Sequence, residues 1–119
     1  RNGALLVRKG RVNIYTASFK SSDDPIEEGC DCYTCMNHSA AYVHHLFRSK
    51  ELLAYRLATI HNLRFVLKLM SEIRDAIFKG TFDVFRADFF DGFVKTDADT
   101  RRVQKQKWID SQKRSGDTI

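Results

Sequence analysis

The sequence predicts a mixed α/β fold in which a short β-hairpin is followed by several helices. Three observations support this prediction. Apolar residues near the N-terminus recur at the two-residue period of strands. Between residues 63 and 77 they recur three and four positions apart, as on one face of a helix. Between these regions, all three cysteines fall within six residues, Cys30 to Cys35.

Residues 4–19 predict the hairpin. Its apolar positions are Leu5, Val7, Val12, Ile14 and Tyr15. Lys9-Gly10 supplies the turn, because glycine readily adopts the positive φ that a tight turn requires. Residues 20–29 are polar and contain the only proline of the chain. They therefore predict a surface loop that leads into the cysteines.

The clearest helix follows the cysteines. Its apolar face consists of Leu63, Val66, Leu67, Met70, Ile73 and Ile77. We expect Thr59 to cap this helix and Lys79-Gly80 to end it, which places His61 in or near the first turn. A shorter helix before it is predicted to begin at Asn37 or Ser39, since either side chain can cap it.

Other segments are less regular. Residues 52–57 continue helical spacing as a short separate piece, and five phenylalanines between residues 82 and 93 predict an aromatic helix packed against the previous one. Polar residues dominate from Asp97 onward, so we expect residues 97–119 to form a poorly ordered tail or a loose helix. Trp108 is the one potential anchor in this tail, and we expect it to be partly exposed.

Composition narrows the class of protein. The chain has 119 residues and a mass of 13.8 kDa, the size of one small domain or of a piece of a larger one. No run of about 18 apolar residues occurs, so the sequence predicts no membrane span, and the N-terminus lacks the apolar core of a signal peptide. The absence of an initiating Met predicts a chain that begins inside a longer protein. The net charge of +5 permits a polyanionic partner such as RNA.

The cysteine cluster predicts a metal site. An odd number of cysteines excludes a complete disulfide framework, and their close spacing indicates metal or redox chemistry in a reducing cytosol. Zinc favours four tetrahedral ligands, and three cysteines with one histidine are a standard set. Four protein ligands leave no open position for water, so such a site is structural rather than hydrolytic.

The residues alone leave two questions open: whether the cysteines bind a metal, and which histidine would be the fourth ligand. The cysteines can cluster by chance, whereas an iron–sulfur cluster would usually need a fourth cysteine. The spacing does not decide which histidine completes the set. His61 lies at the predicted start of a helix, but His38, His44 and His45 are nearer in sequence. His44 and His45 lie on an aromatic helix face, where packing or interface roles are the simpler interpretation.

Three segments together carry a family resemblance. They are Cys30-x-Cys32-x-x-Cys35, the run Ser-Ala-Ala-Tyr-Val-His-His-Leu-Phe-Arg from Ser39 to Arg48, and Thr59-Ile60-His61-Asn62-Leu63, with His61 26 positions after the last cysteine. This pattern resembles the tRNA-guanine transglycosylases, also called queuine tRNA-ribosyltransferases, and in particular the bacterial queuosine-pathway enzymes. Arg1-Asn2-Gly3 also resembles the end of that family's loop after the last barrel strand. The resemblance covers residues 1–93, and the tail beyond looks unrelated or variable.

The resemblance implies a fold and an activity. The chain would be the C-terminal part of a TIM (β/α)8 barrel with a zinc-binding subdomain built from a β-hairpin plus helices. Residues 1–62 would form the last-strand loop, hairpin and zinc subdomain, residues 59–93 the final barrel helix and C-terminal helix, and residues 97–119 the tail. The family exchanges guanine at the tRNA wobble position for a 7-deazaguanine base in queuosine biosynthesis, which implies a cytoplasmic enzyme.

Residue roles follow from the same resemblance. It implies one structural zinc per chain, bound by Cys30, Cys32, Cys35 and His61. Arg1 falls on a loop position that approaches tRNA. A helix used for homodimer contact carries His38, Tyr42, His45 and Leu46. The catalytic aspartates of the family lie upstream of this chain, so the fragment alone is expected to be inactive.

The sequence therefore supports two functional hypotheses. The first is the zinc-binding C-terminal portion of a tRNA-guanine transglycosylase, with no membrane association. The second is a freestanding, non-catalytic zinc module that binds RNA or dimerises, which the basic charge and clustered aromatic residues permit. The motif set favours the first hypothesis.

Overall fold

The computed structural model describes residues 1–93 and 98–116. Two strands form a hairpin, β1 (Ala4–Val7) and β2 (Gly10–Asn13), and a 3-10 turn follows at Ala17–Phe19. The helices are α1 (Tyr33–Asn37), α2 (Ala40–Arg48), α3 (Leu52–Phe78), α4 (Phe82–Gly92) and α5 (Ala98–Gly116). The predicted mixed class, a hairpin followed by helices, is confirmed for the described residues.

The hairpin is antiparallel and its register pairs Leu5 with Val12 and Val7 with Gly10. Gly10 has the positive φ expected of it, 139°. The prediction that the extended pattern continues through Ile14 and Tyr15 is wrong, because β2 ends at Asn13. The Asn13 side chain accepts a hydrogen bond from the Tyr15 backbone N–H at 2.9 Å, a local turn that ends the strand.

Helix α3 is longer than the sequence predicted. It begins at Leu52 and continues without a break through residues 52–57 and the expected cap, Thr59. The prediction of a helix start at Thr59 is therefore wrong, and His61 lies in the third turn instead of the first. Packing explains the difference, because Ala54 and Leu57 are buried against the rest of the chain and stabilise the early turns.

The other helix boundaries follow the predicted signals. Ser39 caps α2, since its hydroxyl accepts a hydrogen bond from the Tyr42 backbone N–H at 3.1 Å. Lys79-Gly80 ends α3, as predicted, and Gly80 adopts a φ of 72°. The Thr81 N–H then bonds back to the Ala76 carbonyl at 2.8 Å, which completes the helix terminus.

One core joins the hairpin, α2 and the first half of α3. Its buried residues are Leu5, Val7, Ile14, Ile26, Val43, Leu46, Phe47, Ala54, Leu57 and Ala58. Phe47 lies at the centre, with Tyr15 and Tyr55 edge-on at 5.7 and 5.8 Å between ring centroids. The core holds the hairpin against α3, and this contact builds the site described below.

The second half of α3 differs from the first. Most of its predicted apolar face is exposed, with 59% of Leu63, 63% of Leu67 and 56% of Met70 accessible. Helix α4 packs on α3 as predicted, and Ile73 and Phe85 help to line a groove of about 270 Å³ between them. Residues 97–119 were expected to form a poorly ordered tail or a loose helix. The part of this tail that the structure describes, Ala98–Gly116, is helical, and residues 97 and 117–119 lie outside the described residues. No helix among the described residues is both long and apolar enough to cross a membrane.

Candidate metal centre

The three cysteines lie at the start of α1. Cys30 and Cys32 belong to the loop before the helix, and Cys35 lies within it. The Cys32 sulfur occupies the N-cap and accepts a hydrogen bond from the Cys35 backbone N–H at 3.2 Å. This turn of chain brings the three sulfurs to one side of α1. The Thr34 hydroxyl donates to the Leu57 carbonyl at 2.7 Å and fixes α1 on α3.

His61 reaches these sulfurs from α3. Its Nδ1 atom lies 3.6 Å from the Cys30 and Cys32 sulfurs and 3.3 Å from the Cys35 sulfur. The four atoms all lie within 4.8 Å of one another. His61 is fully buried, so the imidazole is held in this position by its surroundings.

The other ring nitrogen of His61 has a hydrogen-bond partner that determines the tautomer of the imidazole. Nε2 lies 2.7 Å from the backbone carbonyl of Leu6, which can only accept a hydrogen bond. Nε2 therefore carries the proton and donates, and Nδ1 presents its lone pair to the sulfurs. A histidine that binds a metal usually makes this kind of second hydrogen bond, which orients the ring and raises its basicity.

The four side chains fit a tetrahedral metal ion. Zinc bonds of about 2.3 Å to sulfur and about 2.0 Å to nitrogen put sulfur and nitrogen about 3.5 Å apart at the tetrahedral angle. The observed separations from Nδ1 are 3.3–3.6 Å. Three thiolates and an imidazole are also the soft donors that zinc accepts. All four positions are filled by protein, so the arrangement is closed.

Without a cation, the sulfurs favour their neutral form. Burial is the main cause that raises the pKa of the Cys30 thiol and of the Cys35 thiol above their ordinary value. A metal ion reverses this preference because its positive charge stabilises thiolates. Raised thiol pKa values do not favour a free reactive thiolate, whereas a bound cation would favour the ionised sulfurs.

Zinc binding is expected to depend steeply on pH. Because the pKa of both thiols is raised, both are protonated at neutral pH, and zinc must displace at least these two protons. Apparent zinc affinity should thus rise at least about 100-fold per pH unit between pH 6 and 8. Competition with a chromophoric chelator at three pH values measures this slope. A rise below about tenfold per unit would contradict thiolate ligation.

The residue after His61 ties the hairpin to the same helix. Asn62 accepts a hydrogen bond from the Leu6 backbone N–H at 2.9 Å and donates to the Ala4 carbonyl at 3.0 Å. Together, His61 and Asn62 bind three backbone groups on the edge of β1 that does not face β2. Two successive side chains of α3 thereby take the place of a neighbouring strand.

A charged contact flanks the cysteines. Arg64 donates two hydrogen bonds to the Asp31 carboxylate, both at 2.8 Å, and these bonds hold the pKa of Asp31 below its usual value. The pair is exposed, so it orients the cysteine loop on α3 more than it stabilises the fold. No sequence pattern indicated the roles of Asn62, Asp31 or Arg64. His61 and Arg64 are three positions apart and therefore lie on one helix face. This spacing could have indicated that Arg64 lies close to the cysteine loop.

The remaining predicted site residues lie outside the metal centre. His38 is half-buried and stacks on exposed Tyr42 with 5.0 Å between ring centroids, and His45 is exposed. Leu46 instead belongs to the core with 7% of its side chain accessible, which leaves little of it for contact with a second chain. Arg1 is exposed at the N-terminus.

The fourth histidine has a structural role. His44 is buried in α2, and its Nδ1 donates to the Ile14 carbonyl at 2.6 Å. It therefore secures the chain just after the hairpin, in agreement with the packing role that the sequence favoured. Within residues 1–93, His61 is the histidine that meets the sulfurs.

The fold and site define a chain organised around a cluster of three cysteines and one histidine that could hold a metal ion. Comparison with known proteins gives its family. The sequence model described as Queuine tRNA-ribosyltransferase matches residues 1–95. The chain belongs to this family, which confirms the resemblance inferred from the cysteine and histidine motifs.

Three relatives show what share of a relative's length the chain covers. Each is a queuine tRNA-ribosyltransferase. The protein of Dehalococcoides mccartyi is 52% identical over 118 residues, covering 99% of this chain and 30% of the relative. Those of Dictyoglomus turgidum and Herpetosiphon aurantiacus are 42% and 41% identical, covering 91% and 98% of this chain and 28% and 30% of the relatives. The chain thus spans about 30% of their length. The tail, which was expected to look unrelated or variable, is included in two of these matches.

Proposed function

We propose that the chain is the zinc-binding C-terminal portion of a tRNA-guanine transglycosylase. The enzyme would act in the cytoplasm and exchange guanine at the wobble position of tRNA for a 7-deazaguanine base. The observation that carries the proposal is the cluster of Cys30, Cys32, Cys35 and His61, found in a chain whose family match covers residues 1–95. The rest of the TIM barrel would come from sequence outside the 119 residues.

The zinc in this proposal is structural, with one ion per chain. When bound, it supplies positive charge that keeps the three sulfurs as thiolates. The surrounding residues support this role, because the ligands come from the cysteine loop, α1 and α3, and His61 extends the connection to β1. The metal would therefore join segments that are more than 25 positions apart in sequence.

The chemistry of base exchange is assigned to the remainder of the enzyme. Displacement of a base at a ribose carbon requires a carboxylate placed at that carbon. Four aspartates of this chain, Asp23, Asp24, Asp88 and Asp91, are all exposed. Such exposed carboxylates are typical of loop and helix surfaces, so we assign no catalytic residue within this chain.

Two contact surfaces belong to the same proposal. His38, Tyr42 and His45 would contribute to a homodimer contact, supported by the aromatic stack of His38 on Tyr42 and by exposed Tyr33 beside it. Arg1 would approach the tRNA, supported by its charge and exposure at the end of the hairpin. Residues 1–62 and 59–93 would act as the zinc subdomain and the final barrel helices.

Guanine exchange tests the proposal. We expect the complete protein that contains this chain to incorporate labelled guanine into its tRNA, and the isolated 119 residues to give no detectable incorporation because the catalytic carboxylates are absent. The isolated chain should nevertheless bind one zinc ion. Turnover by the 119 residues alone would contradict the assignment of the catalytic groups. Absence of exchange by the complete, zinc-loaded protein would favour the second hypothesis, a non-catalytic zinc module for RNA binding or dimerisation.

A further inference from the structure

Helix α5 carries much of the positive charge of the chain. Its residues, Ala98–Gly116, lie beyond the match to the family model, which ends at residue 95. They include six lysines and arginines against two aspartates, a net charge of +4, in a chain whose total is +5. The metal centre and the proposed base exchange assign no role to this helix.

Two of the six basic residues of α5 lie on the same helix face as its tryptophan. Arg101, Lys105 and Trp108 follow one another at intervals of four and three, which places them on one face of the helix. All three are exposed, and 62% of Trp108 is accessible. Asp110 lies nine positions from Arg101 and therefore on the opposite side, where it accepts a hydrogen bond from Gln106 at 2.9 Å. We call Arg101, Lys105 and Trp108 the basic stripe.

The chemistry of this surface favours one type of partner. The apolar residues of α5, Val103, Trp108 and Ile109, point in different directions around the helix, so they form no apolar face. A helix that lies in a membrane surface or in an apolar groove of another protein needs such a face. Cations in line with an exposed aromatic ring instead match a nucleic-acid strand, which offers phosphates and stackable bases.

We propose that the basic stripe of α5 binds the tRNA, with Arg101 and Lys105 on backbone phosphates and Trp108 stacked on an unpaired base. This inference rests on the proposed function, which makes tRNA the substrate. Phosphate contacts carry no sequence information, so the helix contributes affinity and orientation and does not select the base. The stripe therefore acts on tRNA binding and leaves the exchange step unchanged.

The test compares two double variants in the complete protein. Arg101→Gln with Lys105→Gln removes two positive charges from the stripe, and Lys79→Gln with Lys107→Gln removes two charges from other exposed positions. We expect the stripe variant to bind a tRNA transcript about tenfold more weakly at 0.1 M salt, and the control to change by less than about twofold. The slope of log affinity against log salt should fall by about 1.4–1.8 for the stripe variant only.

Trp108→Ala provides a second measurement. Loss of one stacked base should weaken tRNA binding about 5- to 100-fold without a change in the salt slope. Unchanged helical circular dichroism in all variants excludes unfolding of α5. For base exchange, the stripe variant should raise KM for tRNA and keep kcat.

Each contrary result has a distinct meaning. Equal losses in the stripe and control variants would show only a general charge effect and overturn the proposal. Binding of α5 to vesicles of anionic lipid, with tRNA affinity unaffected by the variants, would assign the helix to a membrane surface instead. A complete wild-type protein that performs no guanine exchange would refute the proposed function, whereas normal exchange with an unchanged KM in the stripe variant refutes only this inference.

Discussion

Replacing His61 with alanine is expected to abolish the binding of one zinc ion per chain and to unfold the region around the metal centre. Structural zinc contributes about 10–16 kcal/mol in small zinc-binding peptides at neutral pH, as much as the whole net stability of a typical domain. Here the ligands come from α1, its preceding loop and α3, so the ion would cross-link segments that are distant in sequence. This is the largest single effect that we expect.

Two further variants separate the metal from the hydrogen bond that His61 also makes. Cys35→Ser removes a sulfur but keeps the bond from His61 to the Leu6 carbonyl, and Lys79→Gln is a control at an exposed residue outside the site and outside the proposed dimer contact. Native mass spectrometry and thermal unfolding measure zinc content and stability. We expect His61→Ala and Cys35→Ser to lose zinc and melt early, and the control to resemble the wild type. If chelation removed all zinc and left the melting temperature unchanged, the structural role would be refuted.

Replacing Asn62 with alanine is expected to loosen the hairpin while zinc stays bound. The variant leaves the Leu6 N–H and the Ala4 carbonyl without partners in a partly buried position. A buried polar group without a partner costs about 1–3 kcal/mol, so we expect a loss of about 2 kcal/mol in the free energy of unfolding of the zinc-loaded protein. Urea denaturation at fixed zinc concentration measures this loss.

Hydrogen exchange locates the effect of the Asn62 variant. The Leu6 amide should exchange faster in Asn62→Ala, and Asn62→Asp should retain more protection because its carboxylate still accepts from that amide. Asn37→Ala is the matched control, since Asn37 makes one exposed hydrogen bond to the Tyr33 carbonyl, and it should change stability by less than about 0.5 kcal/mol. Equal protection of the Leu6 amide in all proteins would mean that Asn62 does not hold the hairpin.

The sequence predicted those parts of the fold that depend on local signals. Gly10 at the hairpin turn and Gly80 at the end of α3 act through their own backbone preferences, and both were recognised. Ser39, which caps α2 through its side chain, was one of the two caps that the sequence offered. The start of α3 was predicted wrongly because it depends on tertiary packing and not on a local signal. Thr59 is a good cap by propensity, but burial of the preceding turn against α1 and α2 extends the helix through it.

The metal centre was predictable to a similar extent. Three cysteines within six residues identify most of the ligands from spacing alone. Spacing could not choose His61 over His44, because the choice depends on which helix face meets α1. The family resemblance supplied that choice. The two bonds of Asn62 were beyond the sequence, since they join residues 56 and 58 positions apart through tertiary packing.

The edge of β1 has a consequence for the aggregation of zinc-free chains in cells. An uncovered strand edge presents free N–H and C=O groups that can recruit a strand from another molecule. In the folded protein, His61 and Asn62 cover this edge. Newly synthesised chains that lack zinc would therefore expose a template for intermolecular β-pairing next to the apolar side chains of the hairpin. When zinc is scarce, such chains would aggregate as well as unfold. The zinc supply would therefore determine how much folded protein accumulates.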